Sequence, residues 1–281
     1  MITLNNINFS YRKKVQLLTG LNLDITPGHI HGLLGKNGEG KTTLLKLIAG
    51  LLFPQEGEIE VLGFNPVKRK PEMLREIYFI PEELPSFSLS IKKFVKVYSP
   101  FYPGFDSGQF ESYLNEFEIE SVNLKMDHLS YGQKKKVMIA FGLAANTKLL
   151  LMDEPTNGLD IPSKGQFRRM AASAVNDDRC MIISTHQVLD LDRLIDNIII
   201  MNNHEIVFNE SVDRITDKLV FRIFKTDEKD NSVLYSEEGL RGFYQVRENQ
   251  IGESSKLDIE LLFNTVLTNT NRIRKIFTTK S

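Results

Sequence analysis

Gly35-Lys36-Asn37-Gly38-Glu39-Gly40-Lys41-Thr42 is the stretch that most narrows the folds open to this chain. It spells GxxxxGK[ST]. An apolar strand candidate, Ile30–Leu34, runs into it, and a helix candidate with Leu44, Leu47, Ile48 and Leu51 at helical spacing follows. The chemistry accounts for the spelling. Glycines let backbone N–H groups turn inward around phosphate oxygens, and the following helix presents the positive end of its dipole. Lys41 can reach the outer phosphates, and the Thr42 hydroxyl is placed to ligate Mg2+. A strand–loop–helix of this kind points to an α/β fold that binds a nucleoside triphosphate.

A second strand supports that reading. Leu149-Leu150-Leu151-Met152 is of the fully buried type and ends in Asp153-Glu154. Open α/β sheets put their ligands at such strand ends. Asp153 is suited to hold Mg2+, and Glu154 to polarise a water for attack on a terminal phosphate. An acidic pair at a strand end is common by itself; a phosphate loop on a neighbouring strand gives this one a role. A helix near 164–175 leads to another buried run, 180–184, and then to Thr185-His186. Strands alternating with helices imply a parallel sheet covered on both faces.

Around this core the texture varies. Residues 1–27 alternate apolar and polar and read as short antiparallel strands. Ile77–Ile80 reads as a short strand. Beyond it Phe87, Phe94, Tyr98, Phe101, Tyr102, Phe105, Phe110, Tyr113 and Phe117 mark a helical subdomain at about 85–145. Most of these rings are expected in the core and a minority on a partner-facing surface. Runs 198–201 and 205–208, joined by Asn202-Asn203-His204, read as a closing hairpin. After that, Leu219–Phe224 and 243–246 look like strands and 259–267 like a short final helix, so 217–281 is taken as a small C-terminal appendage.

Composition removes several function classes. A net charge of −1 gives no electrostatic footprint for nucleic acid, so none is expected as a partner. The basic run Lys134-Lys135-Lys136 reads as a solvated helix face. A single cysteine, Cys180, excludes an internal disulfide and fits a reduced cytosolic setting. Residues 1–14 lack an apolar core of signal-peptide type, and no apolar run approaches the ~20 residues that span a bilayer. Any membrane part must come from elsewhere. His29, His31, His128 and His204 show no metal-ligand spacing.

Leu129-Ser130-Tyr131-Gly132-Gln133 opens another apolar helix. Ser130 with Gln133 forms an ordinary capping box, and a capped helix start is also an anion site. With this segment in place the order of motifs resembles that of the ATP-binding-cassette (ABC) ATPases, whose LSGGQ signature it resembles; the resemblance covers 1–216. It implies a P-loop NTPase of ABC type. The expected architecture is a parallel-rich core sheet, an antiparallel N-terminal β-subdomain, a helical signature subdomain and a small α+β C-terminal appendage.

The resemblance further implies roles by position. Residues 35–42 with Thr43 hold the ATP phosphates, and Tyr11 stacks on adenine. Asp153 and Thr42 hold Mg2+, Glu154 is the catalytic base, and His186 touches the terminal phosphate. Ser130, Gly132 and Gln133 meet the nucleotide of a second subunit, and Asp160 lies in the dimer-interface loop. Glu82 stands where the family usually has Gln, and its carboxylate can still meet Mg2+ or water. Tyr131 replaces the first glycine of the signature pair, while Lys36 and Glu39 replace the more usual Pro and Ala. Signature and phosphate loop lie too far apart on one subunit to share a nucleotide, so the family sandwiches two ATP molecules between two subunits. With one set of motifs, this chain is expected to pair as a homodimer or with a similar chain. It would then power a separate membrane permease from the cytoplasmic face. Phe101-Tyr102-Pro103-Gly104-Phe105-Asp106 resembles the helical region of ATPases serving ABC-2-type exporters. The alternative is a soluble ABC ATPase acting in assembly or repair.

Overall fold

In chain order the elements are β1 (Ile2–Arg12), β2 (Val15–Ile25), β3 (Ile30–Leu34), α1 (Lys41–Ile48), β4 (Glu56–Val61), α2 (Pro71–Leu74), β5 (Ile77–Ile80), α3 (Ile91–Tyr98), α4 (Ser107–Glu116), α5 (Tyr131–Ala144), β6 (Leu149–Asp153), α6 (Ile161–Ala174), β7 (Cys180–Thr185), β8 (Asn197–Asn202), β9 (Glu205–Ser211), α7 (Val212–Lys218), β10 (Leu219–Phe224), β11 (Val233–Gly239), β12 (Gly242–Glu248), α8 (Ile259–Thr268) and α9 (Thr270–Thr278). The structure is a computed structural model that describes residues 1–12, 15–86, 88–187, 194–228 and 230–278.

The central sheet has the order β5-β6-β7-β3-β8-β9, parallel throughout except for β9. Successive side chains of a strand point to opposite faces, and here both faces are covered. Leu33, Leu149, Leu151, Cys180, Ile182, Ile199 and Met201 pack on one side with α1 and the antiparallel sheet β2-β1-β4. Leu34, Leu150, Met152, Met181, Ile183, Ile198 and Ile200 pack on the other side with α5, α6 and the helical segment. This is why β6 and β7 read as apolar runs up to their polar ends, and β3 as one broken only by His31 and Gly32. It is the mixed, parallel-rich α/β architecture expected of the P-loop class.

In the helical segment Phe141 of α5 is the hub. Its ring lies 5.1 Å from Phe94, 4.9 Å from Phe105 and 5.3 Å from Tyr78 of β5, centroid to centroid. Of the aromatic run, Phe94, Phe110 and Phe117 are buried, and Tyr98, Tyr102, Phe105 and Tyr113 pack against the core. Phe101 is 65% exposed. Phe87 lies outside the described residues.

Several local expectations need correction. Strands β1 and β2 are long rather than short, each spanning 11 residues. α1 stops at Ile48, so Leu51 lies beyond it and is half exposed. The β8–β9 turn has two residues, Asn203 and His204, because Asn202 already pairs with Glu205; both turn residues have positive φ, at 50° and 67°. The phosphate loop and the acidic strand end are not on neighbouring strands, since β7 lies between β3 and β6. The loop still meets β6 because α1, which starts at the loop's end, packs over that strand.

C-terminal to α7, the strands pair in the order β10-β12-β11, and α8 lies against β11 and β12. Leu219, Phe221, Leu234, Val246, Leu262 and Val266 belong to the same buried cluster as the outer face of the central sheet. Phe277 of α9 meets Phe208 of β9 edge-on at 5.1 Å. Among the described residues no helix is long and apolar enough to cross a membrane.

Candidate functional site

The sheet itself gathers the site. Across the ladder Leu34 pairs with Thr185, and Asp153 with Ser184, so the C-terminal ends of β3, β7 and β6 lie side by side. The phosphate loop leaves the first, Thr185-His186 the second and Asp153-Glu154 the third. A cleft of ≈ 290 Å³ opens there, lined by Leu17, Asn37, Gly38, Gly40, Lys41, Thr42, Thr43, Glu82, Asp153 and Glu154.

The loop is shaped for an anion. Gly38 and Gly40 have φ of 88° and 104°, and α1 starts at Gly40 without a side-chain cap, so its first N–H groups stay available. Lys41 curls back to donate from Nζ to the carbonyls of Gly35 (2.7 Å) and Lys36 (3.2 Å). Burial lowers its pKa, while Glu154, Asp153, Glu82 and Glu39 pull the other way. Glu39 lies at the loop's outer edge, where its carboxylate accepts from the His204 N–H at 2.9 Å and ties the loop to the β8–β9 turn.

The acidic step is held on two sides. Asp153 accepts from Thr42 Oγ1 at 2.6 Å and from Ser184 Oγ at 2.5 Å. Glu154 follows in a left-handed turn (φ 45°), fixed by its N–H donating to the Ser184 carbonyl at 3.1 Å. Its carboxylate lies 2.8 Å from His186 Nδ1, and accepts from the His186 N–H (2.9 Å) and the Thr185 hydroxyl (3.1 Å). Thr42 Oγ1 and the Asp153 carboxylate form a pair of hard oxygen donors suited to Mg2+. The open helix start with Lys41 suits the phosphates of a nucleotide, and Glu154, positioned by three donors, can serve as a base.

Of the remaining expected residues, two lie at this cleft. Tyr11 borders it: its hydroxyl is 3.0 Å from Thr43 Oγ1, and its ring, packed edge-on to Phe9, is 59% exposed. Glu82 lines the cleft and accepts from Asn157 Nδ2 at 3.0 Å. Ser130, Gly132 and Gln133 are not among the cleft's lining residues. Ser130 and Gln133 close a capping box at the start of α5, Ser130 Oγ accepting from the Gln133 N–H (3.2 Å) and Gln133 Oε1 from the Ser130 N–H (2.9 Å). Asp160 caps α6 through the Ser163 N–H at 2.9 Å, and hydrogen bonds from the Ser163 side chain and then its N–H lower the Asp160 pKa.

Sequence reasoning missed Leu17, Ser184, Asn157 and Lys135. The first three carry no motif. Lys135 was read as part of a solvated face, but it is fully buried. Its ammonium donates to the carbonyls of Pro81 (3.2 Å), Glu82 (3.2 Å) and Asp153 (3.4 Å), and burial pushes its pKa down to about 8. The ~3.6-residue period of α5 turns one lysine of the run inward, which a count of charges cannot reveal.

The ABC transporter family description matches residues 18–157. The ABC transporter ATP-binding protein YtrB of Bacillus subtilis (strain 168) is 30% identical over 207 residues, covering 73% of this chain and 70% of that protein. The chain belongs to the ABC transporter ATP-binding proteins. The Nod factor export ATP-binding protein I of Rhizobium etli is 27% identical over 226 residues, 78% of this chain and 71% of that one. Among solved structures, an ATP-binding cassette captured as a dimer in a post-hydrolysis state with ADP and Pi superposes with a TM-score of 0.66 at 26% identity, covering 75% of this chain and 99% of that one. As an ABC ATPase the chain binds ATP and hydrolyses it.

Proposed function

We propose that this chain is the ATP-hydrolysing subunit of a membrane exporter, and that it works by closing as a dimer around two ATP molecules. The observation that carries the catalytic part is the Asp153-Glu154 step, joined at one residue to Thr42 of the phosphate loop and at the next to His186. In this reading the N–H groups of 35–43 and the Lys41 ammonium hold the phosphates, with Tyr11 against the adenine. Thr42 and Asp153 hold Mg2+, with Glu82 within reach, and the ion when bound neutralises charge on the phosphate oxygens. Glu154 takes a proton from the attacking water, and His186, held against its carboxylate, faces the terminal phosphate. Ser130, Gly132, Gln133 and Asp160 meet the partner subunit's nucleotide and interface. None of these four lines the cleft of its own chain.

The permease would bind a separate groove of ≈ 440 Å³ formed by Pro71, Leu74 and Arg75 with Pro100, Phe101, Tyr102 and Pro103. Sequence position alone suggests for this partner a groove of Glu82 and parts of 83–105, but Glu82 lines the cleft instead, and the groove lies between α2 and the turn after α3. Phe101, exposed at its rim, is the anchor expected to fill a pocket on the partner. Export is favoured by the likeness of 101–106 to the ATPases of ABC-2-type exporters, and one relative is named for export. The region 217–281 is accessory in this reading, since none of its described residues lines the cleft. Phe101→Asp tests the docking site: transport in membrane vesicles is expected to collapse while basal ATP hydrolysis by the purified chain persists. Unimpaired transport by Phe101→Asp contradicts it.

A further inference from the structure

The carbonyl of Glu82 is gripped from α5 by two side chains. Tyr131 donates its hydroxyl to it at 2.6 Å, and Lys135 its ammonium at 3.2 Å. A carbonyl oxygen has two lone pairs and can accept both. The tyrosine ring is itself wedged: Gly158 lies beneath it with φ 81°, and a Cβ there would come within 2.6 Å of Tyr131 Cδ1. Lys135 also reaches the carbonyls of Pro81 and Asp153. Its charge is sealed from water, so releasing those carbonyls would leave a bare buried cation. Helix α5, the Glu82 turn and the end of β6 are therefore held together at one point.

The Glu82 side chain belongs to the cleft. It lines the phosphate cleft with Lys41, Thr42, Asp153 and Glu154, and its Oε1 is held by Asn157. Whatever draws the carboxylate toward a nucleotide or ion in the cleft moves a backbone whose carbonyl is bonded to the first turn of α5. That turn begins at Ser130 and includes Gly132. Glycine, the residue the ABC signature has at position 131, offers no hydroxyl for this bond.

We propose that Tyr131 and Lys135 form a latch that transmits the position of Glu82 to the Ser130–Gly132 segment, making both positioning residues for hydrolysis. The proposal rests on reading the cleft as the ATP site. Its test uses the full chain and Tyr131→Phe, which deletes the hydroxyl and keeps the ring over Gly158. The kcat for ATP is expected to fall about fivefold, the worth of one hydrogen bond of ~1 kcal/mol, with ATP affinity unchanged. Lys135→Met gives the second arm. If the two act as one device, adding Tyr131→Phe to Lys135→Met costs little more than Lys135→Met alone. Wild-type kcat in Tyr131→Phe overturns the latch, as does an affinity loss that accounts for the whole effect or strict additivity of the two changes. If Lys135→Met does not fold, the Tyr131→Phe split between kcat and affinity decides alone. A wild-type chain that binds no ATP would instead overturn the reading of the cleft, and the latch with it.

Discussion

Glu154 concentrates the site's geometry in one residue. Its left-handed backbone costs about 1 kcal/mol or more relative to an ordinary conformation. The turn survives because Ser184, Thr185 and His186 supply partners for both its N–H and its carboxylate. Three residues upstream of the loop-bearing strand's end, His31 shows the opposite use of burial. It is nearly inaccessible, its Nε2 lies 3.2 Å from the Thr26 carbonyl, and its Nδ1 has no partner among the described residues. Desolvation lowers its pKa from 6.5 to about 4. Between those values the unfolded chain binds the proton and the folded chain does not, so stability is full above pH 6.5 and is lost as pH falls toward 4. The loss amounts to at most about 3 kcal/mol. Urea denaturation at pH 7 and pH 4.5 is expected to show a shallower acid loss in His31→Gln than in the wild type. Equal losses in the two proteins would remove His31 as a cause.

At the scale of elements, what the sequence made legible was set by burial on both faces. Strands β3, β6 and β7, the helices after them and the phosphate loop could be read because apolar runs of fixed length end in residues whose chemistry is unusual at such positions. β4 and β11 could not, since Glu56, Glu58, Glu60, Glu237 and Glu238 make half-covered strands look like loops. α9 was hidden for the same reason: only Ile273 and Phe277 of its residues are buried. The site was legible where a motif constrains spelling, and opaque where a side chain acts through a carbonyl, as Lys135 does. The aromatic packing of α5 lends itself to a direct test. Phe141 is fully buried among Tyr78, Phe94 and Phe105. Phe141→Ala is expected to cost ~3–5 kcal/mol in chemical denaturation; a loss under about 1 kcal/mol would mean the helical segment is not packed around it.

For the whole molecule, the decisive fact is an incompleteness. One chain brings its phosphate loop, Asp153 and Glu154 to one cleft, with His186 held behind them against the Glu154 carboxylate, and Ser130, Gly132, Gln133 and Asp160 do not line it. In the proposed function two chains facing each other would complete two such sites, leaving the groove proposed for the permease and residues 217–281 free to act elsewhere. Glu154→Gln separates binding from chemistry most directly. It keeps the side chain's shape and removes the carboxylate proposed to take the proton from water, so hydrolysis is expected to fall by ~10²–10⁴-fold. Thr42, Lys41 and Asp153 are untouched, so ATP binding persists and, with turnover blocked, a two-chain species accumulates in size-exclusion chromatography with ATP and Mg2+. Lys41→Ala, measured alongside, is expected to bind ATP weakly and elute as a single chain. Near wild-type hydrolysis by Glu154→Gln, or the same single-chain elution with and without ATP, would contradict the account.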